Sequence, residues 1–204
     1  MIRFKKWALI DANTIATLDK YPVEKRPSRW DGQTKAVKKF KDEVLKQGLA
    51  IQEQKCAWCT LNVGTLGRRT AHRDHIAPKA KYPQWTFFAK NLIIACEYCN
   101  GFAVKGEINT VSKVEDVYEN CIFHVVHPYL DDPSDHLEFL GDSPLSVTIR
   151  SRTPKGLWTI DKLQLDTAGA TMERAKDRLL EMYMNDLSPA QKGLLKSASD
   201  SLGK

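Results

Sequence analysis

Residues 56–106 read CAWCTLNVGTLGRRTAHRDHIAPKAKYPQWTFFAKNLIIACEYCNGFAVKG. Cys56-x-x-Cys59 and Cys96-x-x-Cys99 place four of the chain's five cysteines here. Each x-x-spaced thiol pair can supply two corners of a tetrahedral zinc site. Between the pairs lie Arg73-Asp74-His75 and Asn91, and Asn100 directly follows the second pair. A single C-x-x-C also serves redox chemistry, or buries as two small hydrophobes. Two pairs bracketing Asp-His, Asn and Cys-Asn are far harder to obtain by accident.

The chain has 204 residues and a formal net charge of +6. That length supports one or two modest domains with a real core, so a zinc would be a local staple. No run approaches the eighteen or more apolar residues of a membrane span, and the N-terminus MIRFKKWALIDANTIATLD lacks the apolar stretch and cleavage site of a secretory signal. A soluble cytoplasmic protein without membrane attachment is expected. In that reducing compartment the four spaced cysteines are expected as metal ligands, and Cys121 as a buried strand residue.

Charge divides the chain. Residues 1–55 carry 13 basic and 7 acidic side chains, residues 56–106 carry 7 and 2, and residues 107–204 carry 11 and 16. The first two stretches suit a polyanion and the third does not. The expected organisation is an N-terminal arm and basic amphipathic helix over 1–55, a core over 56–106, and an accessory α+β region ending in helices over 107–204.

Val37, Phe40, Val44 and Leu45 fall at helical spacing and predict a helix from Gln33 to Ile51, with Gly48 as its end or weak point. Thr70 to Ile76 reads as a strand, and a helix is expected to begin near Asn100. Leu145–Ser151 and Leu157–Leu165 read as strands joined through Thr153-Pro-Lys-Gly156. A helix is predicted from Asp166 or Thr167 to about Asn185 with Met172, Ala175, Leu179 and Met182 or Tyr183 on its buried stripe. Another runs from Ser188-Pro189 to near Leu202. The run from His127 to His136 holds two histidines and three aspartates, but its Pro128 and Pro133 turns favour the aspartates as turn and cap residues.

The pattern C-x-x-C, D-H-x-x-P-K, N-L, C-x-x-C-N resembles the HNH endonucleases across about a quarter of the chain. His75 stands as the first H, Asn91 as the N, and Asn100 where the last H often stands. The resemblance implies an α+β protein with a ββα-metal nuclease core, stapled by a four-cysteine zinc site. It also implies metal-dependent hydrolysis of phosphodiester bonds in DNA or RNA. Cys56, Cys59, Cys96 and Cys99 would hold a structural Zn²⁺, while Asp74 and Asn100 would hold a catalytic Mg²⁺ or another divalent cation.

In that family this histidine activates water, and an ordinary pKa of about 6.5 suits His75 to be a base at cellular pH. Asn91 would orient the site by hydrogen-bonding backbone near His75. Arg73, Lys79, Lys81 and Lys105 are expected as phosphate contacts. The family often has a lysine three residues after the last H or N, whereas Lys105 stands five after Asn100. Asp74 and His75 are strand neighbours and point to opposite faces, unless a bulge or a strand end re-aims one. His72 could assist metal or phosphate binding, but is expected first as an exposed strand residue.

The runs E-Q-K-C-A-W-C and D-H-I-A-P-K-A-x-Y-P further resemble the nuclease component of Septu-type anti-phage systems, which works beside an ATPase. The acidic third stretch would then be the natural place for that partner to dock. Two other classes stand beside this reading. A non-catalytic zinc-stapled nucleic-acid-binding module would not need Asp74, His75 and Asn100 together. A thiol redox protein would need an exposed low-pKa pair in a βαβ setting, which these flanks do not show.

Overall fold

The computed structural model describes residues 1, 3–66, 69–140, 146–183 and 186–200. The expected element ends at Leu145, Asn185 and Leu202 lie outside these residues. Helices α1 (Ala12–Leu18), α2 (Arg26–Arg29) and α3 (Lys35–Ile51) precede an antiparallel hairpin of β1 (Ala71–His75) and β2 (Leu92–Cys96). The one-turn helix α4 (Glu97–Asn100) follows. Beyond it, β3 (Val111–Lys113) pairs with β4 (Ile122–Phe123), α5 (Pro133–His136) leads into β5 (Leu137–Phe139), and β5 pairs with β6 (Ile149–Ser151). Helices α6 (Pro154–Leu163), α7 (Ala168–Tyr183) and α8 (Pro189–Asp200) come last. The architecture is mixed α+β with small two-stranded sheets. None of the described helices is long and apolar enough to cross a membrane.

Helix α3 starts where Thr34 accepts a hydrogen bond from the Val37 amide, satisfying one of the first-turn donors. Val37, Phe40 and Val44 then share a buried face, where they meet Trp30, Phe87 and Leu92. Lys35, Lys38, Lys39 and Lys46 stay exposed. Gly48 lies inside this helix, not at its end. A Cβ there would stand 2.7 Å from Cγ1 of Ile94, which is fully buried on β2. Glycine is therefore what lets α3 press against the sheet.

Gly48→Ala gains about 1 kcal/mol of helix propensity and incurs about 1–3 kcal/mol of overpacking. A lower Tm than wild type is expected in thermal unfolding. A raised Tm would show that Ile94 yields freely.

Past α3, the buried Gln52 side chain donates to Ile94 O and accepts from Ile94 N, both at 2.8 Å. It thus closes the edge of β2 that β1 does not cover. The core around this ribbon gathers Phe4, Trp58, Ile94, Phe123, Val126, Ile160 and Leu165, so residues from all three stretches of the chain build it together.

Three expectations are corrected. The segment after Gly156 is helical: Thr153 caps α6 by accepting from the Gly156 amide, with Pro154 in the first turn. Gly156, Thr159, Ile160 and Leu163 form its buried face at helical spacing. Two small members of that face hid the period, leaving Leu157 to Leu165 to be read as alternation. Secondly, helix α4 ends at Asn100 instead of beginning there, and a chain of turns carries the backbone to Gly106. Thirdly, Met172, Leu179 and Met182 are exposed on α7, and among the described residues of that helix the buried side chain is Arg174. Its guanidinium donates to the carbonyls of Val147 and Leu165, tying α7 back to the body.

Candidate active site and cysteine cluster

The cysteine cluster begins with the turn after α3. Cys56 N donates to Leu61 O, and Ala57 N donates to Ile94 O, so the first knuckle is fastened to itself and to β2. The sulfurs of Cys56, Cys59, Cys96 and Cys99 lie within 4.8 Å of one another, all four residues are buried, and none is in a disulfide. Tetrahedral zinc with bonds of about 2.3 Å spaces its sulfurs ~3.8 Å apart. Cys59 Sγ and Cys96 Sγ stand 3.9 Å apart.

Backbone donors also point at the sulfurs: Cys96 N at Cys56 Sγ (3.3 Å) and Cys99 N at Cys96 Sγ (3.4 Å). Hydrogen bonding among the thiols, from Cys56 first, draws Cys59 and Cys96 toward the thiolate. The donor set fits a metal such as zinc in a closed, four-ligand site.

The end of β1, the turn after it, Trp30 and the loop beyond α4 enclose a cleft of about 250 Å³. Asp74, His75, Lys79 and Asn100 all line it. The β1–β2 register is regular, with Asp74 opposite Ile93 and His75 opposite Leu92. No bulge re-aims either side chain. Because His75 is the last residue of β1, both reach the cleft although they leave opposite faces of the strand.

His75 is buried against Trp30, with ring centroids 4.4 Å apart. Its Nε2 lies 3.0 Å from Thr86 O. A carbonyl can only accept, so Nε2 carries the hydrogen and Nδ1 keeps its lone pair. No buried side-chain nitrogen or oxygen among the described residues lacks a hydrogen-bond partner. With Nε2 taken, Nδ1 is therefore the ring atom that reaches the cleft. Burial pushes the His75 pKa down to about 3. The ring is thus neutral across cellular pH, unlike the expectation of a base near 6.5.

Asp74 is 2% exposed and both of its oxygens are engaged. Trp58 Nε1 donates to Oδ2 and Lys105 Nζ donates to Oδ1, each at 2.7 Å. Lys105 is itself 1% exposed and also donates to His75 O at 2.6 Å. The lysine expected at the surface as a phosphate contact is instead the buried counter-charge of Asp74. The five-residue interval after Asn100 makes this possible, because the turns from Gly101 to Gly106 fold the lysine back over the end of β1. An ammonium stands where a cation would meet Asp74, so a divalent ion held by Asp74 and Asn100 does not fit this arrangement.

His72, expected as an exposed residue, is half-buried, and Asn100 faces it with Nδ2 3.2 Å from Nδ1 of the ring. His72 in turn contacts Thr70, which donates to Glu97. Asn91 is fully buried; it accepts from Ala77 N at 2.7 Å and donates to Ala77 O and Trp85 O. Arg73 also lines the cleft, but its guanidinium is held by α3, donating to Lys41 O and approaching Asp42 at 3.6 Å. Lys79 is half-buried in the cleft, and Lys81 is exposed on the turn beyond it.

No family model matches the chain. It is similar to Septu protein PtuB of Bacillus thuringiensis, at 26% identity over 147 residues covering 67% of this chain and 50% of that protein. It is also similar to protein ea31 of Escherichia phage lambda, at 29% identity over 99 residues covering 48% of this chain and 27% of that protein. The chain thus spans half the length of one of these relatives and about a quarter of the other.

Trp58 and Trp30 were not among the residues singled out from the sequence. Trp58 had a readable signal, since a buried indole N–H needs an acceptor and the nearby motif offers a carboxylate. Trp30 had none, because its place against His75 depends on how α2 packs. The Asp74–Lys105 pair leads to a stability prediction. Removing one partner of a buried pair costs about 3–5 kcal/mol, since the other charge stays buried and uncompensated. Lys105→Met should therefore be strongly destabilised in urea unfolding, and Asp74→Asn combined with Lys105→Met should recover part of the loss. A single variant of wild-type stability would contradict the pairing.

Proposed function

We propose that this chain hydrolyses phosphodiester bonds of nucleic acid as an HNH-type endonuclease, with His75 as the general base. The observation that carries this reading is the His75 ring: neutral, anchored through Nε2, and offering Nδ1 to a cleft that also holds Lys79. A water on Nδ1 can lose its proton to the ring as it attacks phosphorus, while the P–O bond to the departing sugar oxygen breaks and that oxygen takes a proton from solvent. A phosphate bound beside the ring raises the pKa, because negative charge favours the imidazolium. Proton transfer then becomes favourable when substrate is in place. Lys79 and Lys81 neutralise phosphate charge, and the exposed lysines of α3 extend the basic surface. The cysteine cluster holds a structural zinc that supports the hairpin, and Asn91 positions the turn after His75.

Similarity to Septu protein PtuB supports a role in anti-phage defence. The resemblance seen in the motifs adds a partner ATPase, for which the acidic 107–204 stretch is the docking surface. The commitment of Asp74 to Lys105 favours a second reading, a zinc-stapled module that binds nucleic acid without cutting it.

Zinc-loaded protein, alone and with an added ATPase partner, is to be incubated with labelled single- and double-stranded DNA and RNA, with and without Mg²⁺. Internal cleavage of at least one substrate is expected, with affinity falling as salt rises. Salt-sensitive binding with no cleavage in any combination would leave the binding module standing and the nuclease rejected.

A further inference from the structure

The run from Tyr118 to His127 enters no part of the reading above, yet a directed chain of hydrogen bonds joins it to the His75 site. His127 is fully buried, and its Nδ1 accepts from the amides of Tyr129 (3.2 Å) and Leu130 (3.3 Å). The ring hydrogen must then sit on Nε2, which lies 3.0 Å from the Tyr118 hydroxyl. Tyr118 passes its own hydrogen to Asn91 Oδ1 at 2.9 Å. The tyrosine ring is boxed by Trp85, Phe88 and Phe123, with centroids 4.9–5.4 Å away, so the hydroxyl has little freedom to point elsewhere.

Asn91 stands at the junction of the two strands of chain that hold His75. Its amide grips Ala77, two residues after His75, through both the N–H and the carbonyl. It also donates to Trp85 O, one residue before the Thr86 carbonyl that anchors His75 Nε2. The orientation of the Asn91 amide therefore sets how His75 and its acceptor meet. Oδ1 must face Ala77 N, and Tyr118, as a committed donor to the same oxygen, forbids the flipped amide. His127 commits Tyr118 in turn. Its own backbone is fixed by Asp131, which accepts from His127 N at 2.7 Å and pairs with Lys155 in α6.

We propose that Tyr118 and His127 are positioning residues of the His75 site, acting through Asn91 to hold the imidazole in its Nε2–H form against Thr86. The inference rests on the reading of His75 as base, and it gives the histidine at the head of the 127–136 cluster a role that involves no metal. The C-terminal stretch thereby contributes to the chemistry as well as to docking.

Tyr118→Phe removes the hydroxyl while keeping the ring. His127→Asn keeps an acceptor for the amides of Tyr129 and Leu130 while removing the donor to Tyr118. In both full-length variants about a tenfold fall in kcat is expected with KM within twofold, since small misplacements of a reacting group are expensive and leave binding untouched. Hydrogen exchange at the Ala77 amide should quicken, and the imidazole ¹⁵N shifts of His75 should show its proton leaving Nε2 for part of the time. Folded Tyr118→Phe protein with wild-type Ala77 exchange and wild-type His75 shifts would overturn the proposal. Those two measurements need no cleavage, so they decide it even if the wild-type chain proves not to be a nuclease.

Discussion

Treating the protein with a strong chelator, or replacing Cys56 by serine, is expected to unfold the hairpin and the core around it. The sulfurs sit among buried residues, and the knuckles are stitched to each other and to β2 through Ala57, Ile94 and Cys96. Without metal, four buried thiols must share a space in which mutual repulsion opposes ionisation and burial opposes charge. Structural zinc in small sites binds with an apparent ~10–16 kcal/mol at neutral pH, as much as the whole stability of a typical domain, ~5–15 kcal/mol. Metal content should therefore be about one zinc per chain, and a strong chelator should abolish the thermal transition or lower it by tens of degrees. Cys56→Ser should give little folded protein. Wild-type unfolding by Cys56→Ser protein in the presence of chelator would remove the structural role of the cluster.

The second large effect belongs to His75. His75→Ala should cut about 10²–10⁴-fold more slowly while binding nucleic acid nearly as well, because general-base help is lost and the phosphate contacts are not. The pH profile separates this from an ordinary exposed histidine. In the free protein burial holds the His75 pKa at about 3, so the unprotonated base is present at every pH well above that value. The profile of kcat/KM, which reports the free protein, should consequently show no loss between pH 8 and 5 that is attributable to His75. An exposed histidine would lose activity as pH fell through about 6.5. Equal cleavage rates for His75→Ala and wild type would sink the assignment.

The cysteine cluster and α3 were legible in the linear chain. Thiols three residues apart can meet one ion, and Val37, Phe40 and Val44 face one way on a helix whatever surrounds them. The strand bearing Asp74 and His75 was legible too, read over Thr70 to Ile76 and found over Ala71–His75. Where local signals were mixed, the expectation failed: Gly156 and Thr159 look polar or flexible in sequence, yet the missing Cβ of Gly156 is what lets α6 approach His136, and buried Thr159 accepts from Val126 N.

What the sequence by itself determined is which groups exist and which neighbours within a turn or a knuckle they meet. It carried the two thiol pairs, the Asp-His pair, Asn91, and a basic front half. Only the tertiary structure decided what those groups do to one another. Asp74 became the partner of Lys105, 31 residues away, and Gln52 closed an edge at Ile94, 42 residues away. His75 became a neutral ring because Trp30 and Thr86 came to cover it. The physical reason is range. Propensity and capping act through adjacent peptide units, whereas the charge state of a buried group depends on which distant atoms are removed from water beside it.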